Sequence, residues 1–293
     1  MDNPNTMKNI TRLYSYCLFA AAFTYPAISQ AVVWTGLGDG SSWLDGSNWD
    51  TGVPGAGDSV TLSGATVNVG GAGATYNQFA NSAGTVEINS GGVLTQVGVA
   101  ASAIRYITNV NINDGGTFIA DPGVNLRVNT DIASGGTLEG TIRIRDSRTL
   151  NVGGVFRPGD NLAVTEYLVD PGTINLTSTG VIELDIFGNS SGGSTNNDHF
   201  ASSGTLNIST GTIQLVLQGY TPSIGDSWDL WDGSGVTTGA TIAMTGYTFD
   251  LSQWVSDGIV TIDAVVAVPE PSTYAFILGF GVFGLFLMKR RRS

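Results

Sequence analysis

The chain is poor in charge, in sulfur and in histidine. Only 12% of its 293 residues are Asp, Glu, Lys or Arg, against roughly a quarter in an ordinary globular protein. Its one cysteine, Cys17, lies in an amino-terminal apolar stretch that reads as a leader. The rest of the chain therefore has no disulfide, no thiolate metal centre and no cysteine nucleophile. His199 is the only histidine. It cannot build a His-based zinc site alone, and neither a Gly-x-Ser-x-Gly elbow nor a phosphate-binding loop accompanies it; it reads as an ordinary residue where a loop enters a strand. Glycine, by contrast, occurs 41 times, about twice its average share. Helices tolerate glycine poorly, and no glycine recurs at every third residue, so a helical enzyme and collagen are both excluded. Gly, Thr, Ser, Asn, Val and Ile together are what short strands joined by tight turns require.

Both ends read as addresses rather than as fold. Lys8 and Arg12 precede the apolar residues 13–23, and Ser29, Gln30 and Ala31 offer a small-residue cleavage site. Residues 1–31 are thus expected to be a signal peptide removed by signal peptidase. At the other end, Val268, Pro269, Glu270 and Pro271 precede seventeen uncharged residues, 272–288, and then Lys289, Arg290, Arg291 and Arg292. That run is at the lower limit for a helix crossing a bilayer. The basic cluster would remain cytoplasmic and place the preceding chain outside the inner membrane, as the amino-terminal signal also requires.

Residues 268–293 resemble the PEP-CTERM sorting signal of exopolysaccharide-producing Gram-negative bacteria, carried by Val268 to Pro271, the apolar segment and Arg290 to Arg292. The resemblance implies that an exosortase-type membrane protease is a partner. It also implies a transient stay in the inner membrane and delivery to the cell surface or extracellular matrix.

Between residues 32 and 267 six arginines and no lysine face 22 acidic residues, a net charge of −16. Nucleic acid is a poor partner for such a chain. The arginines, Arg105, Arg127, Arg143, Arg145, Arg148 and Arg157, are confined to 53 residues, so the middle is balanced and both flanks are acidic. The same middle repeats a phrase: an apolar entry, a polar step and a glycine pair, at Gly91–Gly92, Gly115–Gly116, Gly135–Gly136 and Gly153–Gly154. The first glycines are 24, 20 and 18 residues apart, a solenoid coil rather than a propeller blade. Apolar and polar residues alternate around each pair, as at Ile142, Arg143, Ile144 and Arg145, which is the strand period. The expected fold is all-β, a right-handed parallel β-helix with glycine pairs supplying positive φ at the corners; a hairpin-built β-sandwich is the alternative.

Trp34, Trp43 and Trp49 near one end and Trp228, Trp231 and Trp254 near the other are expected to close it. The amino-terminal tryptophan phrase, and the stretch from Asp198 to Trp228, resemble the opening and closing parts of autotransporter passenger domains. The translocating barrel of autotransporters is replaced here by the sorting tail. The expected organisation is a β-solenoid with a Trp-rich cap over 32–160, and further β coils and a cap over 161–267.

Candidate chemistry is thin. Asp226, Asp229 and Asp232 read as a solvated acidic face rather than a calcium or glycosidase carboxylate group. Asp39, Asp45 and Asn48 match no calcium-loop pattern. No metal and no cofactor is expected. An ice-binding face would need stacked Thr-x-Thr rungs, and none recurs with the glycine phrase. Arg127 and Arg145 each precede a glycine pair by eight residues, so in the expected register they stack on adjacent coils. With Arg105, Arg143 and Arg148 they are the candidate contacts for anionic extracellular polysaccharide; the plainer role is to neutralise acids on neighbouring coils. The expectation is a non-enzymatic surface or matrix component, structural or adhesive. A polysaccharide-degrading β-helix lyase or hydrolase is the competing class.

Overall fold

The computed structural model describes residues 31–80, 83–97, 103–104, 107–159, 166–232 and 236–266. Arg105, the expected signal peptide apart from Ala31, and the expected sorting signal with Val268 to Pro271 and Lys289 to Arg292 lie outside these.

The chain winds into stacked coils with three strand-bearing faces. Face one carries Thr66–Val69, Thr85–Ile88, Asn109–Ile112, Asn129–Ile132, the ends of Thr137–Val152 and Glu166–Leu176, then Thr205–Ile208 and Val236–Thr238. Each pairs in parallel with the next. Face two begins with Ala74–Tyr76 and runs through Val93–Gln96 and the starts of Thr117–Leu126 and Thr137–Val152 to Val155–Pro158, Val181–Ile186, Thr212–Leu217 and Thr241–Ala243. Face three stacks Ala103–Ile104, the end of Thr117–Leu126, the middle of Thr137–Val152, the start of Glu166–Leu176, His199–Ser202 and Trp231–Asp232. The strand Thr137–Val152 contributes to all three faces, so they are the sides of one coil. A sandwich would need antiparallel hairpins; the parallel β-solenoid is what forms. It continues without a break in pairing past residue 160 as far as Ala243.

Alternation fills the coil. On face one Val67, Val86, Val110, Leu150, Ile174 and Leu206 stack in one inward column, all buried. Thr130 lies in the same column between Val110 and Leu150, and its buried hydroxyl finds no hydrogen-bond partner among the described residues. No single coil could bury such a stripe; its neighbours above and below do so.

The two glycines of a corner serve different ends. Gly115 takes a φ of 71°, a left-handed conformation that residues with a Cβ avoid. Gly116 does not, but a Cβ there would lie 2.3 Å from the Ile88 carbonyl oxygen of the coil below. The expectation that both glycines supply positive φ is thereby corrected: the second is needed for close approach between coils. At Gly153–Gly154 neither φ is positive, and a Cβ on Gly154 would meet the Gly136 carbonyl oxygen at 2.2 Å.

Both ends are closed by tryptophan. Trp34 and Trp43 each pack edge-on against Trp49, with centroids 4.9 and 5.0 Å apart, and the Trp49 indole donates to the Trp43 carbonyl at 2.8 Å. At the far end Ile259–Val265 pairs antiparallel with both Ser227–Asp229 and Tyr247–Asp250. Trp228 donates to the Gly188 carbonyl at 2.6 Å, and Trp231 packs against Trp254 of a one-turn helix, Trp254–Asp257. Apolar core is thus covered at both ends of the described solenoid.

Candidate functional site

Three surface features carry the polar chemistry. The first is a file of carboxylates and amides on face one. Asn68, Glu87, Asn111, Asp131, Asn151, Asn175 and Asn207 occupy one register position on successive coils. Asn111 donates to Glu87 at 2.6 Å, Asn175 to Asn151 at 2.8 Å and Asn207 to Asn175 at 2.6 Å. Asn151 also donates to Asp131 at 2.5 Å, so from Asp131 to Asn207 each amide donates to the coil before it, and Asn151 and Asn175 also accept from the coil after. A threonine file lies beside it, giving Thr-x-Asn rungs at Thr149, Thr173 and Thr205 rather than Thr-x-Thr. These stacked threonines are not legible from the glycine phrase.

The second feature is the arginine group. Leu126 pairs with Ile144, so Arg127 and Arg145 take equivalent places on successive coils. Arg143 and Arg145 alternate with buried Ile142 and Ile144 and are half-buried. Asp146 and Ser147, both with φ near 60°, form a two-residue bulge at the following corner. There Asp146 Oδ2 lies 3.4 Å from Arg127 Nε. The Nε atoms of Arg145 and Arg148 are buried without a hydrogen bond among the described residues. Arg157 stands apart on face two. It binds Glu139 of the coil before at 2.8 Å and Glu183 of the coil after, and these bonds, Glu183 first, raise its already high pKa. Charge neutralisation between coils is realised there by glutamates.

The third feature combines residues that the sequence left apart. His199 opens a face-three strand and is buried, with Nε2 3.8 Å from Asp229 Oδ1 and 3.6 Å from Asp232 Oδ2. One ligand atom from each of the three lies within 4.8 Å of the others. Burial, and then the Asp232 charge, push the Asp229 carboxyl up to about 6, although the Trp231 N–H that it accepts acts the other way. Asp226 does not join them. It accepts from the Tyr220 hydroxyl and, at 2.7 Å, from the Ser223 N–H. The expected acidic face of Asp226, Asp229 and Asp232 is therefore corrected: two of the three gather around a buried imidazole. The only signal for this in the sequence was the return of an acidic pair one coil after His199.

The loop of Asp39, Asp45 and Asn48 is closed on itself. Asp39 Oδ1 accepts from the Ser41 and Ser42 N–H groups and from Asn48 Nδ2, while Asn48 Oδ1 accepts from Gly38 and Gly40. The Ser42 and Ser41 N–H groups hold the Asp39 carboxyl below its ordinary pKa, and the Asp39 and Ser47 N–H groups do the same for Asp45. The oxygens that a cation would use are engaged in shaping the cap.

An internal void lined by Ile174, Leu184, Phe200, Leu206, Ile208 and Trp231 has room for about one water, and its walls are apolar. A void of that kind stays dry and marks imperfect packing, not a ligand pocket.

No curated protein and no solved structure matches the chain. A family model described as the PEP-CTERM protein-sorting motif matches residues 267–292, which carry Val268 to Pro271 and Lys289 to Arg292. The chain therefore carries the tail of an exported, exosortase-sorted surface protein.

Proposed function

We propose that the solenoid is a non-enzymatic structural or adhesive component of the cell surface or extracellular matrix of a Gram-negative bacterium. Its partner there is an anionic exopolysaccharide, held along the face-three arginines. The observation that carries this reading is the equivalent register of Arg127 and Arg145 on successive coils, both side chains being only partly buried. A guanidinium presents several donors in a planar fork, which suits carboxylate or sulfate groups on a polymer. Coils lie about 4.8 Å apart, so one extended chain running along the axis meets several arginines in turn. Signal peptidase and exosortase precede this step in the route, and the inner membrane is a transient stop.

The test is co-sedimentation of the full chain with the acidic polysaccharide of its own cell envelope, for wild type and Arg127→Ala/Arg145→Ala. Binding weakened at least fivefold, and screened by salt in the wild type, supports the reading. Equal binding by both proteins overturns it. Release of unsaturated or reducing ends from the same polysaccharide would place the chain among the enzymes instead.

A further inference from the structure

His199 and Asp232 belong to neighbouring strands of face three, His199–Ser202 and Trp231–Asp232, which pair in parallel through Phe200 and Trp231. Asp229 lies at the turn into the second of these, held by its contact with the Trp231 N–H. The imidazole is 5% exposed and the Asp229 carboxylate 18%, whereas Asp232 is 71% exposed. A buried nitrogen base thus faces two carboxylates, one enclosed and one reaching solvent, with a third acid, Asp257, adding its charge nearby.

We infer that His199, Asp229 and Asp232 form a binding site for a divalent cation of the zinc class, which ties the last coils of the solenoid together. The donor set selects the class. One imidazole and two carboxylates suit zinc or a neighbouring transition metal, whereas calcium takes six to eight oxygens. The separations of 3.6 and 3.8 Å between Nε2 and the two oxygens are close to those between ligands bound to one such ion at about 2.0–2.1 Å. The exposed side of Asp232 leaves the remaining position to water. Such an ion would offset the local negative charge and cross-link residues separated by a long loop. It would bind the folded state alone and so raise its stability.

The single histidine makes the test direct, because the untagged full-length chain gives one imidazole spin system. Metal-free protein in detergent is titrated with Zn²⁺, followed by imidazole ¹⁵N shifts and by thermal unfolding, and with Co²⁺, followed by its visible spectrum. The expected result is saturable 1:1 binding with a shifted imidazole and a higher Tm. Asp232→Asn weakens binding at least tenfold, and His199→Gln abolishes it. Asp232 is exposed, so its variant folds even if the buried His199→Gln does not. Zn²⁺ that leaves the imidazole unshifted, or that binds Asp232→Asn as tightly as wild type, overturns the inference. So does a site that takes Ca²⁺ in preference.

Discussion

Asn175 donates its side-chain amide to Asn151 at 2.8 Å across 24 residues of intervening chain. It accepts in turn from Asn207, 32 residues on.

Replacing Asn175 by Ala removes one bond from Asn207 and one from Asn151. A net loss of about 1 kcal/mol per bond is usual where water has some access. Asn175→Ala is therefore expected to lower stability by about 1–2 kcal/mol in urea unfolding. Asn68→Ala, which loses one 3.2 Å bond from Asn89 at the start of the file, costs less. Equal losses would show that the file is not cooperative along the axis.

Thr130→Val tests the opposite case. The Thr130 hydroxyl is buried without a partner in a column of aliphatic residues, and valine has nearly its shape. Removing an unsatisfied buried polar group returns about 1–3 kcal/mol. The midpoint of unfolding is expected to rise, with the m-value unchanged; a fall would mean that the hydroxyl is paired in solution.

Gly116→Ala drives a Cβ to 2.3 Å from a backbone carbonyl that belongs to another coil. Neither coil can move without displacing the whole stack, so a loss of roughly 3 kcal/mol or more is expected. Gly57→Ala, with open space around the new Cβ, is the control and stays within about 0.5 kcal/mol. Thermal unfolding of the pair decides whether contact between coils, rather than turn conformation, makes the second glycine necessary.

Arg157 joins three coils through Glu139 and Glu183, but its side chain is 39% exposed. Solvent screening limits such a triad to about 1 kcal/mol in all. Arg157→Ala is expected to destabilise by that amount in dilute buffer and by less in 1 M NaCl, where the Debye length falls to about 3 Å.

With chelator present, Asp229 makes stability depend on pH. Its folded pKa, about 6, lies above the ordinary carboxyl value of 3.8. The folded state therefore holds the proton more tightly, and this contribution is complete below about pH 4 and lost as pH rises through 6. Asp229→Asn should flatten stability between pH 4 and 6 and stabilise the apoprotein at pH 7. A wild-type profile with no slope attributable to Asp229 would contradict the raised pKa.

The glycine phrase was enough to predict parallel coils, because each pair marks the same corner and the flanking alternation gives the strand period. Arg127 and Arg145 were also correctly spaced. The amide file was harder to see, since Asp131, Asn151, Asn175 and Asn207 are separated by 20, 24 and 32 residues. The Asp146–Ser147 bulge and the 187–198 loop lengthen some coils and not others, and only strand pairing restores the common register. The His199 cluster was hidden for the same reason: Asp229 and Asp232 approach it through stacking, across a loop whose length carries no period.

The tryptophan caps have a consequence for assembly. From Asn68 to Thr237 one register position recurs on eight coils, a rise of about 34 Å at the usual strand spacing. Aromatic rings pack over the first turn and an antiparallel sheet lies over the last, so another copy does not meet a bare coil at either end. Growth end to end by continued winding is expected to be hindered, so that a network of such rods would be knitted sideways, through their flanks and the polymers that lie along them.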